Sequence, residues 1–540
     1  MDIETNALYY GDNLEILRKH IPDGSVDLIY LDPPFNSSAT YNVLFKEPSG
    51  ASSQAQISAF EDTWHWGLES ERALQEIAAS AIAPAAVKEL MVVLPKLVGK
   101  RTDMCAYLTM MCVRLIEMRR VLKNTGSLYL HCDPTASHYL RIMLDSIFGP
   151  PNFRNEIVWK RANAHNDPKR YGRITDNILY YGKSDNPTWN PQYTEYREAY
   201  YESHFKKDDA GRFYRTVPLD APRHGEGSTA LLYKWHGKLP ASTRTWAVRI
   251  ETMEQYEQEG RIIYTKTGTP TLLQYADEMS GVPLQNIWTD IPPVNPQANE
   301  RLGYQTQKPE ALLERIIKAS SNEGDIVLDP FCGCGTAVVA AQKLNRKWIG
   351  MDITHLAIGI MKWRLRNLTP PAKFTVHGEP ADLAGAQELA NTNKYEFQWW
   401  AVSQVGGQPY GDKKKGADTG IDGYLYYMDE KNKIKKAIIS VKGGHNATVS
   451  MIRDLGHVID REKADIGVFI LLDKPTQPMT TEAAMKGFYH SPLGKDYPRL
   501  QILTIEEILK GRTPDIPPWI APVPIQSRSQ KKSGSTPRML

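Results

Sequence analysis

Cysteine is scarce, with five residues in 540: Cys105, Cys112, Cys132, Cys332 and Cys334. They form no C-x-x-C pair and no zinc-ligand spacing, which excludes a disulfide scaffold and a zinc ribbon. Long apolar runs are missing too, and no stretch approaches the roughly 18 apolar residues of a membrane helix. The opening MDIETNALYYGDNLEIL lacks the basic and apolar regions of a secretory signal, so a cytoplasmic location is expected. Neither sign of charge dominates: 65 Lys and Arg against 62 Asp and Glu leave +3. That excludes a histone-like polycation but not a local basic groove. No internal repeat is present.

What is there is ordinary globular chemistry, 41% hydrophobic and 24% charged, over a length that calls for about three structural units. Val26 to Leu31 is an apolar strand that runs into Asp32-Pro33-Pro34-Phe35. Residues 104–122 place apolar groups at helical spacing, Asn124-Thr125-Gly126 breaks that helix, and Ser127 to His131 reads as a second strand. A helix from His138 to Phe148 ends at Gly149-Pro150-Pro151. Strands alternating with helices predict an α/β fold with a mostly parallel sheet covered on both faces. From about 185 to 300 the periodicity disappears, as in a loop-rich insertion or small subdomain. The α/β pattern returns with a helix from Pro309, strand Ile326 to Leu328, helix 337–344 and strand Lys347 to Asp352.

Two turns carry chemistry. Asp329-Pro330-Phe331-Cys332-Gly333-Cys334-Gly335-Thr336 joins a strand to a helix, where glycines permit positive φ and the helix start offers unpaired N–H groups. Asp352 ends the next strand, where a carboxylate can take both hydroxyls of a ribose. This partly fits a dinucleotide fingerprint, but the third position is Val338 where that motif wants Gly or Ala. The turn by itself indicates an adenosine-containing cofactor. Asp32-Pro33-Pro34-Phe35 stands at another strand end, where ligands of open α/β sheets bind. An exocyclic base amine is a poor nucleophile because its lone pair is delocalised into the ring. Asp32 and the Pro33 carbonyl can accept both amine hydrogens and free that pair while Phe35 stacks on the base; Pro34 stiffens the loop.

D-P-P-F followed later by a glycine turn resembles the β-type amino-methyltransferases of DNA, over roughly residues 5–370. The resemblance implies a Rossmann-like S-adenosylmethionine-dependent fold with permuted motif order, and residues 185–300 as target-recognition region. It implies methyl transfer to the exocyclic amine of a flipped base in double-stranded DNA, within restriction-modification. D-P-P-F leans towards N6 of adenine, with N4 of cytosine the alternative. Tyr304-Gln305-Thr306-Gln307-Lys308-Pro309-Glu310 is similar to the family's helix that borders the methionine end of the cofactor. The cofactor residues implied are Lys308, Pro309, Asp329 (amino group), Phe331, Gly333, Gly335, Thr336 and Asp352 (ribose). Lys160, Arg161, Arg170 and Arg173, interleaved with Trp159 and Tyr171, suit phosphate contact and stacking; a solvated basic loop is the plainer reading.

These readings give a methyltransferase domain over 1–378, a linker over 379–394, a third unit over 395–510 and a disordered tail over 511–540. In the third unit Asp422 and Lys442 lie on successive predicted strands, the spacing of a metal-dependent nuclease core. It resembles the Mrr-like branch of the restriction-endonuclease fold. Glu396 is the implied helix carboxylate, and Asp422 the implied ligand of a Mg²⁺ ion. Ser440 replaces the acid or amide usual two residues before the lysine, so a DNA-gripping module is the alternative to a nuclease. A NAD-dependent oxidoreductase leaves D-P-P-F unexplained, and a non-catalytic DNA-binding protein needs neither turn. RNA offers the same amine chemistry. The oligomeric state stays open, a dimer included.

Overall fold

The computed structural model describes residues 3–34, 40–43, 57–61, 66–99, 101–163, 169–196, 198–208, 211–223, 231–295, 300, 302, 306–410, 420–430, 433–492 and 494–517. The chain divides into two compact units, 191–285 and the remainder on either side of it.

The larger unit begins with strand β1 (Ala7–Tyr10), helix α1 (Asn13–His20) and β2 (Val26–Leu31). Helix α2 (Asp103–Val121), β3 (Leu122–Cys132), α3 (Ser137–Phe148), β4 (Phe153–Lys160) and β5 (Thr175–Gly182) follow. After residues 191–285 come β6 (Ile287–Trp288), α4 (Glu310–Ser320), β7 (Ile326–Asp329), α5 (Thr336–Lys343), β8 (Lys347–Asp352), α6 (His355–Arg366) and β9 (Thr375–His377). The nine strands form one sheet in the order β6-β4-β5-β3-β2-β7-β8-β1-β9. Only β5 runs antiparallel to its neighbours, so the predicted mostly parallel α/β sheet is what forms.

Central strands of such a sheet are buried on both faces, and every residue of β2 is buried. Asp27 is tolerated there because its carboxylate accepts from Lys123 Nζ at 2.8 Å and from the Ile326 N–H at 2.9 Å, tying β2 to β7. Helix α2 is buried on nearly all sides, since α1, α3 and helix Leu68–Ala79 pack around it. Strand β3 starts at Leu122, earlier than Ser127, because Val26 already pairs with Leu122 across a register shift.

The chain continues through helices α7 (Leu383–Thr392) and α8 (Lys394–Gln404) into a second sheet. It contains β10 (Gln408–Pro409), β11 (Gly423–Glu430), β12 (Lys433–Lys442), β13 (Ile466–Leu471) and β14 (Leu500–Thr504), in that order. Alternating side chains serve two cores: Ile439, Val468 and Ile470 meet Phe397 and Trp400, while Ile438, Phe469 and Leu471 meet Ile452 and Leu455 of helix Val449–Arg461.

Two expected boundaries change. The stretch 379–394, expected as a linker, holds α7, which Asp382 caps by accepting from the Gly385 N–H at 2.8 Å. Ala386 is buried in the core under β11–β13, with Leu389 and Ala390 against it, so helical spacing hidden in a polar composition orders this segment. The tail expected from 511 is fixed through 517, where Gln501 exchanges hydrogen bonds with the backbone of Asp515 at 2.6 and 2.8 Å. Residues 518–540 lie outside the described residues.

The unit 191–285 has its own four-stranded sheet, which includes Phe213–Pro218 and Pro270–Tyr275, helix Ile250–Gln258, and a small core of Leu219, Trp235, Trp246 and Met253. Among the described residues no helix is long and apolar enough to cross a membrane.

Candidate functional site

Because β2, β7, β8 and β1 are neighbours and run parallel, their C-terminal ends gather at one edge of the sheet. Asp32 follows β2, Asp329 ends β7, Asp352 ends β8, and Gly11 follows β1; all four line one cavity of about 280 Å³. The two turns singled out in the sequence therefore open on the same space.

In the glycine turn, the Asp352 carboxylate accepts from the Gly333 N–H at 2.9 Å and from the N–H and hydroxyl of Thr354, each at 2.8 Å. Asp329 accepts from the Phe331 N–H at 3.0 Å. Burial pushes the Asp329 carboxyl up to about 8; the Phe331 N–H opposes this, and the charges of Asp32 and Asp352 add to it. Burial raises Asp352 as well. Lys308, Phe331, Gly333 and Thr336 also line the cavity, as expected, whereas Gly335 and Pro309 do not. Gly335 takes φ +77°, and a Cβ there would lie 2.5 Å from Cγ of Met361 on α6. Its lack of a side chain serves packing against α6. Val338, the misfit to the dinucleotide pattern, is accommodated by Gly350 on β8, where a Cβ would meet Val338 Cγ2 at 3.0 Å.

At the other turn, Asp32 is ion-paired with Lys308, both largely buried, which brings Lys308 to the D-P-P turn as well as to the cavity. Pro34 lines the cavity, and Phe35 lies outside the described residues.

Residues 160–173 divide. Trp159 is buried and donates its indole N–H to the Ile291 carbonyl at 2.9 Å, so it is core and unavailable for base stacking. Arg161 is ion-paired with Asp176 at 2.9 Å, and Lys160 is half-buried. Arg170, Arg173 and Tyr171 are exposed.

In the second sheet, Asp422 accepts from the Val441 N–H at 2.6 Å and the Ser440 hydroxyl at 3.3 Å, and Lys442 ends β12. Glu396 stands in the first turn of α8; burial raises the hydroxyl of Tyr10 on β1, and the charge of Glu396 adds to it. Among the described residues there is no group of three or more His, Cys, Asp or Glu placed to hold a metal ion.

Among the cavity residues that sequence reasoning missed are Gly11, Asp12, Tyr30 and Arg114. Asp12 caps α1 and accepts from Arg114 Nη2 at 2.9 Å, while Asn13 donates to the Pro330 carbonyl at 2.8 Å. Gly11-Asp12-Asn13 follows the same strand–turn–helix grammar as the two turns that were found, and that grammar was a usable signal. Tyr30 and Arg114 gave none.

Residues 26–362 match the DNA methylase family N6_N4_Mtase, and the chain belongs to that family. It is 43% identical over 392 residues to the DNA adenine methyltransferase YhdJ of Escherichia coli (strain K12), covering 72% of this chain and 88% of that protein. It is 29% identical over 349 residues to the Type II methyltransferase M.EcaI of Enterobacter cloacae, covering 64% and 66%. With the Mod subunit of the Type III restriction-modification enzyme StyLTI of Salmonella typhimurium it shares 28% over 359 residues, covering 63% and 50%. The chain thus spans between half and two thirds of the latter two relatives. A solved complex of M1.HpyAVI with SAM covers 67% of this chain and 99% of its own at 16% identity, with a TM-score of 0.30.

Proposed function

We propose that this chain transfers a methyl group from S-adenosylmethionine to the exocyclic amine of a flipped base in double-stranded DNA, N6 of adenine, as part of restriction-modification. The observation that carries the reading is one cavity shared by Asp32 and Pro34 of the D-P-P turn and by the glycine turn. The name of one relative, a DNA adenine methyltransferase, supports adenine over cytosine.

The cavity's charge fits this cofactor. Four carboxylates line it, Asp12, Asp32, Asp329 and Asp352, against two cations, Arg114 and Lys308. A dinucleotide would bring a pyrophosphate to cations that Asp12 and Asp32 already pair, whereas a cofactor ammonium can take Asp329 as its counter-ion once that carboxyl has lost its proton. Bound S-adenosylmethionine supplies an electrophilic methyl group. Asp352 would hold the ribose and Asp329 the ammonium. Asp32, steadied by Lys308, and the Pro33 carbonyl would accept the amine hydrogens and hold the nitrogen in line, with Phe35 against the base. Arg170 and Arg173, with Lys160, would meet phosphates. Incubation with labelled cofactor and DNA, then nucleoside digestion and mass spectrometry, tests the reading; exclusive N4-methylcytosine would overturn the choice of base.

Asp329 gives the cofactor affinity a pH dependence. Below about 8 its carboxyl is protonated in the free protein and must lose that proton to pair with an ammonium. Affinity should therefore rise by up to about tenfold per pH unit from pH 6 towards 8 and level off above. Calorimetry in buffers of different ionisation enthalpy should show proton release at pH 7, and Asp329→Asn should remove both effects.

For residues 395–510 the proposal is a Mrr-like module that engages DNA without cutting it. Asp422 spends one oxygen on the Val441 N–H and the Ser440 hydroxyl, and Ser440 is a weak ligand for Mg²⁺. Wild type is expected to leave methylated and unmethylated plasmid intact in Mg²⁺. Nicking that Lys442→Ala abolishes would assign a nuclease instead.

A further inference from the structure

A chain of buried polar groups leads from the cavity through the sheet. Tyr30 lines the cavity on β2, two residues before Asp32, so both side chains leave the strand on one face. Its hydroxyl is 3.0 Å from Nδ1 of His131 on β3. Nε2 of His131 is 3.2 Å from Oδ2 of Asp176 on β5, and the other oxygen of Asp176 is 2.9 Å from Nε of Arg161. His131 has no exposed surface, and its ring stands edge-on to Trp159, 5.8 Å between centroids.

The proton positions follow from chemistry. Burial pushes the Asp176 carboxyl up, but the hydrogen bond from His131 and the charges of Arg161 and Lys308 pull it down, so Asp176 is ionised and only accepts. Nε2 of His131, facing that carboxylate, therefore carries a hydrogen, and in the neutral imidazole Nδ1 accepts the Tyr30 O–H. The phenol oxygen keeps its lone pairs. Burial, with the charges of Asp32, Asp329 and Asp176, keeps Tyr30 from ionising alone, so it can take a proton only while giving its own away.

We propose that Tyr30, His131 and Asp176 form a relay that takes up the proton released when the base amine is methylated; this rests on the amino-methyltransferase reading above. As the amine nitrogen bonds the methyl carbon, the carbon–sulfur bond breaks with its electron pair left on sulfur. The nitrogen, now positive, gives up the hydrogen that the Pro33 carbonyl had accepted, since a neutral carbonyl cannot keep a proton, and passes it to Tyr30 Oη. The Tyr30 proton moves to His131 Nδ1, and the imidazolium so formed is held by Asp176 until product leaves and the proton returns through Tyr30 to water in the cavity. Asp32, occupied by Lys308, is left to orient the amine. Tyr30 is the catalytic group; His131 and Asp176 position and charge it, the logic of a nucleophile–histidine–aspartate triad.

Two isosteric variants and their combination test the relay. Tyr30→Phe removes the acceptor. Asp176→Asn donates to Nε2 and reverses the imidazole tautomer, so Nδ1 can no longer accept. Each should slow single-turnover methyl transfer about a hundredfold at saturating cofactor, with cofactor Kd unchanged, and the double variant should be no slower than either. Histidine nitrogen NMR on the free protein should find His131 with its hydrogen on Nε2 in wild type and on Nδ1 in Asp176→Asn. Tyr30→Phe within twofold of wild type, multiplicative losses in the double variant, or a wild-type His131 protonated at Nδ1 would overturn the relay. Wild type that methylates no DNA at all would overturn the methyltransferase reading itself, a separate outcome.

Discussion

Asp32→Ala is expected to slow methyl transfer by at least about a hundredfold without weakening cofactor binding. The side chain stands where β2 ends and two prolines fix the backbone, so its carboxylate is aimed before any substrate arrives. Removing it takes away the acceptor that orients the amine but none of the groups in the glycine turn. The electrostatics sharpen the expectation. The charge of Asp32 helps to hold the Asp329 carboxyl high, so its removal lets Asp329 ionise more readily and should tighten cofactor binding at pH 7. Labelled-methyl incorporation and calorimetric titration separate the two effects. Near-normal incorporation would remove Asp32 from the mechanism.

The same neighbourhood shows what a linear reading reaches. Both turns were legible because each lies within one strand–turn–helix passage, where glycine, proline and carboxylate spacing is local. The polar partners were not legible. Lys308 reaches Asp32 across 276 residues, and Tyr30 reaches His131 across 101. Such pairs exist only once the strand order brings β2 beside β3 and β7, and no periodicity encodes that order. Val338 is instructive in another way. Read alone it breaks a packing rule; in the sheet, Gly350 on the next strand supplies the missing room. The rule concerns the sum of two facing volumes, and only one of them was visible. Helix α7 was missed because its apolar positions are few and small, while the basic stretch near 160 was read too generously because Trp159 turns inward as the strand pleats.

Gly335→Val should abolish detectable cofactor binding and lower the melting midpoint of the whole chain. Two costs meet at this position. The backbone takes φ +77°, where a β-branched residue is strained by about 1–3 kcal/mol. The new Cβ would also lie 2.5 Å from Met361 Cγ and 3.0 Å from its sulfur, and Met361 is fully buried, so it cannot swing into solvent. Overpacking of this kind costs about 1–3 kcal/mol more. Relief must come from moving the turn or α6. Moving the turn carries Gly333 and Phe331 with it, and with them the N–H groups that Asp352 and Asp329 accept from. Both carboxylates that would hold the cofactor then lose their alignment, although Gly335 itself does not line the cavity. Gly335→Ala adds the strained φ and one carbon but no branching, so it should fall between wild type and valine in melting midpoint and in affinity. A valine variant that binds S-adenosylmethionine with unchanged Kd would show that the turn tolerates displacement, and the link between α6 packing and cofactor alignment would fail.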